Sequence, residues 1–553
     1  MKTFILSLFL YFSLGIGSLS AQAAFDSNFD NGRVDSAYFG GDAYVLAPIA
    51  NLHARVTGIK GDTTVFKIYD HEGYRLRDYH RMVYRYEGDS AWHFFENGSK
   101  TGSRAYYYFN NSSPFLYDTL YLAYWYPWTW QDQQDYIAAL RGSSAHLRNL
   151  GPRGTSYEGR PLYGYEITDT SYLDCYKQKM VITARQHPIE NINGYFVKGL
   201  TDYLLYGSDS TAQYLRKHYR FFIYPMLNPD GVFHGSGQNV LGQGLNREWA
   251  PGLSLGGTPE IDSIRPYLYA ETGGQVDYAV DIHSNPGSNI RYYWWGINDS
   301  SYLDPDSVAR AKAYVQGVES QDAAANGGQS LFQNYIQGNG INGSLTATNW
   351  FFATMGAHAF TFEPTSTPIR LSSDQVPASR MESAGASLVK GFYGLFAGVA
   401  PMQVRLQADS LTASVAISGG QAPYTVQWVG PQTYQGDSLQ AAAPGTYQVS
   451  VSDAGGCSWQ GKVEIKLPTA LEASMLDELK VYPNPSEGII RLEWPAHREL
   501  LALSLWDLQG RQVMSLPTDS REFVLSDLPS GTYLLHFRFE EGSVQKQLRI
   551  RQK

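Results

Sequence analysis

Cysteine is nearly absent from this sequence: of 553 residues only Cys175 and Cys457 carry thiols. Two cysteines exclude a disulfide framework and a cysteine-rich zinc module. They lie far apart, in segments that read as different domains, so both are expected to be free thiols. Positive charge is also scarce, with 43 Lys and Arg against 52 Asp and Glu for a net charge of −9. That balance excludes a nucleic-acid scaffold, because nothing would neutralise a run of phosphates. Beyond the N-terminus no apolar run approaches the roughly 20 residues that cross a bilayer, so no stable membrane span is expected. What is plentiful is aromatic: 41 Tyr, 25 Phe and 12 Trp, mostly in strand-like settings. Such residues favour a pleated, half-buried surface, and β-structure should dominate much of the chain. The length implies three or four domains.

The N-terminus reads as a targeting signal. Lys2 precedes an apolar run from Phe4 to about Ile16, then the small residues Ala21-Gln22-Ala23. A positive start, a short apolar core and an A-x-A exit describe a secretory signal peptide over residues 1–23. The alternative, a membrane anchor, needs a longer core.

Four further segments follow. Residues 24–136 alternate strand-like stretches such as Thr64–Tyr69 with turn residues such as Asn97-Gly98, the pattern of a β-sandwich. Over 137–400 the rhythm changes. The short apolar run Lys179–Thr183 is followed by apolar residues at helical spacing (Ile192, Phe196, Leu200, Leu204) and by another buried run, Phe221–Tyr224. Alternating strand and helix predict an α/β domain with a mixed or largely parallel sheet. Residues 401–468 return to alternating strands, an immunoglobulin-like module. A polar link near Pro468 to Glu478 leads to a last β-module over 478–553.

Candidate chemistry is scattered. His-x-x-Glu occurs twice. His93 and Glu96 lie in a predicted strand, where residues three apart point to opposite faces and cannot share an ion. His187 and Glu190 sit where a strand ends and a helix begins. There they could converge on a zinc ion, or be a loop histidine and a glutamate favoured by the helix dipole. Asp281-Ile282-His283 closes an apolar stretch, at the strand end where α/β sheets gather functional groups; a structural histidine is the other reading. Glu363, after Ala359-Phe360-Thr361-Phe362, is either a solvated strand terminus or a general base. Asn228-Pro229-Asp230-Gly231 is a turn signal. After it, Asn246-Arg247 could clamp a carboxylate, since a guanidinium fork matches two oxygens, or could be a turn with a surface ion pair.

Taken in order, these pieces resemble the M14 zinc carboxypeptidases. The resemblance covers roughly Thr155 to Val399. It rests on Ser156-Tyr157-Glu158-Gly159-Arg160-Pro161, the His187/Glu190 pair, Pro225–Val232, Asn246-Arg247, Asp281-Ile282-His283 and Phe360–Glu363. The segments around His187 and Asn228 look most like the cytosolic-carboxypeptidase branch, which also carries an N-terminal β-sandwich. The resemblance implies that His187, Glu190 and His283 bind one Zn2+. It implies that Glu363 activates a zinc-bound water and returns the proton to the leaving amine. Asn246 and Arg247 would hold the substrate's C-terminal carboxylate, with Arg160 lining a more distant subsite.

Departures from the family pattern are plain. Val232 to Leu245 contains no arginine to stabilise the oxyanion, so His234 is expected to supply that donor. Gly244 stands where the family tends to place an aspartate behind a zinc histidine, and Asp281 is the expected substitute. No tyrosine occurs between Gly338 and Glu363, and the specificity pocket would be floored near Thr348.

The last module resembles the C-terminal sorting domain of the type IX secretion system of Bacteroidetes. The resemblance rests on Val481-Tyr482-Pro483-Asn484-Pro485, Asp507-Leu508-Gln509-Gly510, Leu528-Pro529-Ser530-Gly531-Thr532-Tyr533 and a basic end. It implies handling by that machinery, removal of the domain, and a secreted or cell-surface product. The expectation is a secreted metallocarboxypeptidase acting on peptide or protein C-termini. Its rivals are a cell-wall peptidase or amidase of the same fold, and a non-catalytic zinc-binding adhesin or peptide-binding protein.

Overall fold

The computed structural model describes residues 23–34, 37–40, 43–46, 52–69, 82–101, 106–124, 126–250, 258–284, 292–296, 304–337, 345–364, 376–396, 398–409, 412–440, 443–466, 470–507 and 511–551. Residues 1–22 of the segment expected to be a signal peptide, and Leu508–Gly510 of the last module, lie outside them. The chain divides into two compact units: residues up to Thr170 with Lys177–Phe396, and Ser171–Tyr176 with Ala397–Lys553.

In the first unit, two five-stranded sheets form the N-terminal sandwich. Phe66, Phe95, Phe109 and Phe115 fill its core. The α/β domain is built on an eight-stranded sheet. Its strands are β1 (Leu147–Thr155), β2 (Pro161–Ile167), β3 (Gln178–Ala184), β4 (Tyr219–Tyr224), β5 (Tyr278–Ile282), β6 (Tyr292–Gly296), β7 (Phe332–Gln337) and β8 (His358–Glu363), in the order β1-β2-β4-β3-β5-β8-β6-β7. The centre β4-β3-β5-β8 is parallel, whereas β1-β2, β2-β4 and β6-β8 pair antiparallel. β3 and β5 are almost wholly buried, as expected of parallel strands covered on both faces. One face packs against the helices Asn193–Tyr206, Pro305–Ala325 and Ala378–Lys390, the other against Pro259–Thr272 and Ala347–Met355.

Two of those helices approach backbone to backbone. A Cβ added at Gly199 would sit 1.9 Å from the Glu382 carbonyl oxygen, and one at Gly385 2.1 Å from that of Phe196. Only glycine permits this crossing. The sandwich is joined to the α/β domain by hydrogen bonds: the Asp30 carboxylate accepts from the N–H groups of Trp130 and Gln131, at the start of helix Trp130–Leu140. Asn31 donates through Nδ2 to the Val232 carbonyl at 2.9 Å.

The second unit corrects two sequence-based expectations. Cys175 and Cys457 are not free thiols; they form a disulfide, with Cα atoms 5.6 Å apart. The segment Ser171–Tyr176, which lies between β2 and β3 in sequence, belongs to the immunoglobulin-like module. Tyr176 is buried in that module's core with Met402. Its hydroxyl donates to Asp453 Oδ2 at 2.8 Å, and Asp453 Oδ1 accepts from the Cys457 N–H at 2.9 Å. The link expected to be polar contains a helix, Ala470–Glu478. Met475 and the following Leu479 are buried in the last module's core, which supplies the tertiary packing that a short helix lacks alone. The remainder of the unit is two pairs of small antiparallel sheets.

Candidate metal centre

The parallel register aligns three strand ends. Ala184 of β3 pairs with Ile282 of β5, and Ile282 with Phe362 of β8. The residues just beyond are therefore delivered to one rim, where open α/β sheets place their sites. The His283 N–H donates to the Phe362 carbonyl at 2.8 Å, placing His283 beside Glu363.

After β3 the chain turns sharply at Arg185, whose φ of +58° lies in the left-handed region. That conformation is strained for a residue with a side chain. Its buried guanidinium compensates. Nη1 donates to the carbonyls of Trp128 and Asn191, at 3.2 and 3.1 Å; Nη2 donates to the Pro188 carbonyl and Asn191 Oδ1, at 2.8 and 3.1 Å. The loop that carries His187 and Glu190 is thereby fixed from beneath. A further tie comes from Asn193, which donates to Glu190 Oε2 at 3.3 Å and to the Ile282 carbonyl at 3.0 Å.

The structure brings His187, Glu190 and His283 together, with one ligand atom from each all within 4.8 Å of one another. His187 Nδ1 lies 2.9 Å from Glu190 Oε1, and His283 Nδ1 lies 3.2 Å from His187 Nδ1 and 3.3 Å from Glu190 Oε2. Two imidazole nitrogens and a carboxylate facing one point are the donor set of a zinc site with an open fourth position. The set fits a divalent cation chemically, because two ring nitrogens at that separation need a proton or a cation between them.

Electrostatics agree with that fit. Burial works against the Glu190 anion, yet His187 and His283 hold its carboxyl down to about 2. Burial likewise opposes the His283 imidazolium, but Asp281 and Glu190 raise it well above the usual histidine range. A cation is attracted to this place. Glu363 behaves oppositely: burial pushes its carboxyl up to about 8, against the pull of His283 and with the repulsion of Glu190 and Asp281.

The remaining expected residues are placed as follows. Asp281, buried, accepts from His283 Nε2 at 2.8 Å, the other ring nitrogen from the one that faces His187 and Glu190. Asn246 is buried, with Nδ2 3.1 Å from His283 Nε2 and Oδ1 accepting from the Ala347 N–H. Arg247 is exposed and gives one N–H to the Asn246 carbonyl at 2.7 Å. Thr348 bonds the Thr361 hydroxyl at 2.6 Å. Arg160 is held by Asp230 at 2.7 Å and Glu158 at 2.5 Å, with its guanidinium over the Phe233 ring. His234 has an exposed ring, with Nε2 2.9 Å from Glu158 Oε2. Oxyanion stabilisation relies on preorganised donors in a water-excluded place, and this pair gives His234 no such setting.

Sequence reasoning missed Arg185, Gln186 and Asn193. The only available signal was an Arg-Gln pair directly after a buried strand, where apolar residues would be expected to continue.

The mixed sheet, with a His-Glu-His cluster at its rim, is an α/β domain of carboxypeptidase-like fold. Residues 133–363 match the zinc carboxypeptidase family of peptidase M14, and 480–551 match the secretion system C-terminal sorting domain. The chain therefore carries an M14 zinc carboxypeptidase domain and a sorting domain. It is 33% identical over 168 residues to an uncharacterized protein of Zymomonas mobilis, covering 30% of this chain and 40% of that protein. It is 33% identical over 140 residues to mouse cytosolic carboxypeptidase 3, covering 25% of this chain and 14% of that protein. The chain thus spans less than half the length of each of these relatives. Among solved structures, a metallo-carboxypeptidase from Burkholderia cenocepacia superposes with a TM-score of 0.57 at 23% identity, over 67% of this chain and 98% of that one. A structure from Shewanella denitrificans, described as a carboxypeptidase A, gives 0.58 at 21% identity, over 68% and 98%. These two similarities speak to the fold. No helix among the described residues is long and apolar enough to cross a membrane.

Proposed function

We propose that this chain is an exported zinc carboxypeptidase that removes residues from the C-termini of extracellular peptides or proteins. The observation that carries the proposal is the convergence of His187 Nδ1, His283 Nδ1 and the Glu190 carboxylate within 4.8 Å at the sheet rim. A zinc ion in that donor set supplies Lewis acidity, polarising the scissile carbonyl and acidifying water. Glu363, on the neighbouring strand end, has its carboxyl raised by burial in the metal-free centre; ionised once a bound cation offsets that burial, it would take the proton from the attacking water and pass it to the leaving amine nitrogen, so that one peptide bond breaks and one carboxylate forms. The exposed Arg247 fork and the Asn246 amide orient the substrate's terminal carboxylate, which restricts cleavage to chain ends. Arg160, locked to Asp230, shapes the surrounding wall. The sorting domain supports delivery by a secretion machinery to the cell surface or medium.

The test uses the purified chain and its Glu363→Gln variant with a mixed peptide pool, read by mass spectrometry. Loss of single C-terminal residues, abolished in the variant, is expected. Internal cuts, or cuts beside D-residues, would replace this reading with a cell-wall peptidase or amidase. No Glu363-dependent cleavage despite bound zinc would make the protein a binder.

A further inference from the structure

We propose that Gln186 is the positioning residue that fixes His283 for metal binding, an inference that rests on the metal centre proposed above. Gln186 is fully buried, immediately before His187. Its Oε1 accepts from the Trp249 indole N–H at 2.8 Å, and its Nε2 donates to Asp281 Oδ2 at 2.6 Å. The direction of this chain follows from chemistry alone. An indole nitrogen only donates, so the carboxamide must present its oxygen to Trp249 and its NH2 to Asp281. Asp281 also accepts from the Thr183 hydroxyl at 2.7 Å on its other oxygen. A carboxylate held by two donors accepts from His283 Nε2 at 2.8 Å; Asn246 Nδ2, farther off at 3.1 Å, is itself a donor and cannot take that hydrogen, so it stays on the ring. Nδ1 is then the nitrogen left to face His187 and Glu190.

The same residue couples both histidines. The Gln186 carbonyl accepts from Asn228 Nδ2 at 3.0 Å, pinning the backbone that leads into His187, while its side chain acts on His283 through Asp281. One glutamine thus holds the backbone at one ligand and the ring orientation of the other. Gly244 occupies the place where an acidic residue was expected behind a zinc histidine, so this support comes from the end of β3 instead.

The experiment measures zinc affinity of the metal-free full chain by competition with a chromogenic chelator. The parent, Gln186→Met and Trp249→Phe are compared. Outer partners of ligating histidines typically govern metal affinity by about 10–100-fold, and a weakening of that size is expected for Gln186→Met. Trp249→Phe, which keeps a ring in the core but removes the indole donor, should weaken binding in the same direction by less. It also serves if Gln186→Met does not fold. The visible spectrum of the Co2+-loaded forms should shift in both variants, which a residue that merely fills space would not cause. Unchanged zinc affinity and unchanged cobalt spectra in a folded variant would overturn the role of Gln186 while leaving the metal centre intact. A parent chain that binds no zinc would overturn the metal centre and, with it, this inference.

Discussion

Arg185 is the most demanding test of how the loop carrying His187 and Glu190 is held. Its guanidinium is fully buried and makes four hydrogen bonds to oxygens of Trp128, Pro188 and Asn191. Burial draws its pKa down to about 10, with Glu190, Asp30 and Asp132 opposing that fall, so the side chain remains charged at neutral pH. Arg185→Met strands those oxygens and removes a cation that acts on the buried Glu190. Breaking a buried charge arrangement by deleting one partner costs about 3–5 kcal/mol, between roughly two and four powers of ten in a local equilibrium. The two compact units make global unfolding a poor readout, because a single transition is not guaranteed. Hydrogen exchange of peptides spanning residues 186–196, read by mass spectrometry, reports the loop itself. Protection there should fall by about 100-fold or more, with zinc affinity falling alongside. Arg185→Lys should restore part of the loss, since an ammonium has three donors and no fork. Arg185→Gly should regain only about 1–3 kcal/mol, by relieving the left-handed backbone. Exchange within about threefold of the parent in Arg185→Met would refute the account.

Three further outcomes are expected. Glu363 has a folded-state pKa raised to about 8 by burial, above its ordinary value of 4.5; its contribution to stability is therefore present in acid and lost as pH rises through 8. Metal-free protein should lose thermal stability between pH 5 and 8 more steeply than Glu363→Gln, and parallel slopes would refute this. Gly385→Val should destabilise the first unit by about 3 kcal/mol or more, because its Cβ would collide with the Phe196 carbonyl, with only backbone to give way; an unchanged melting temperature would argue against the crossing. Non-reducing peptide maps should show the Cys175 and Cys457 peptides joined, and Cys457→Ser should lower the stability of the second unit by about 2–4 kcal/mol.

Much of the architecture was legible because it depends on local pattern. The apolar run Lys179–Thr183 and the helical spacing from Ile192 to Leu204 appear as β3 and the helix Asn193–Tyr206. Period-2 patterning likewise marked the sandwich strands. What escaped depends on contacts between distant segments. The disulfide joins residues 282 apart, and nothing near Cys175 signals that its short segment packs into another module. The helix Ala470–Glu478 is short and lies in a link expected to be polar, and Met475 and Leu479 matter only once a core exists to receive them. At the site, spacing alone leaves His187 and Glu190 ambiguous, and it is the ordered set of motifs that points to a metal pair. Asp281 was expected to orient one of the ligands, without the sequence saying which. Gln186 was not, because its role exists only through the side chains of Trp249 and Asp281, which come from distant segments.

The absent arginine between Val232 and Leu245 leaves one question of catalytic power, and His234 answers it in either direction. A preorganised oxyanion donor is worth about 100–1000-fold in turnover. To act so, the His234 ring would have to leave Glu158, whose carboxyl is itself drawn down, against the opposing effect of burial, by Arg160 and His234. Parting an exposed pair is cheap, but a donor that must first be freed and desolvated is not preorganised. The ring is about half exposed, with a side-chain accessibility of 45%. His234→Ala should therefore lower kcat by less than about tenfold, with KM affected through the wall formed by Glu158, Arg160 and Phe233. A loss of 100-fold or more in kcat at constant KM would show instead that this histidine moves into the centre when substrate binds. Glu158→Gln would then raise turnover in the otherwise native chain, by weakening the hold that keeps the ring outside.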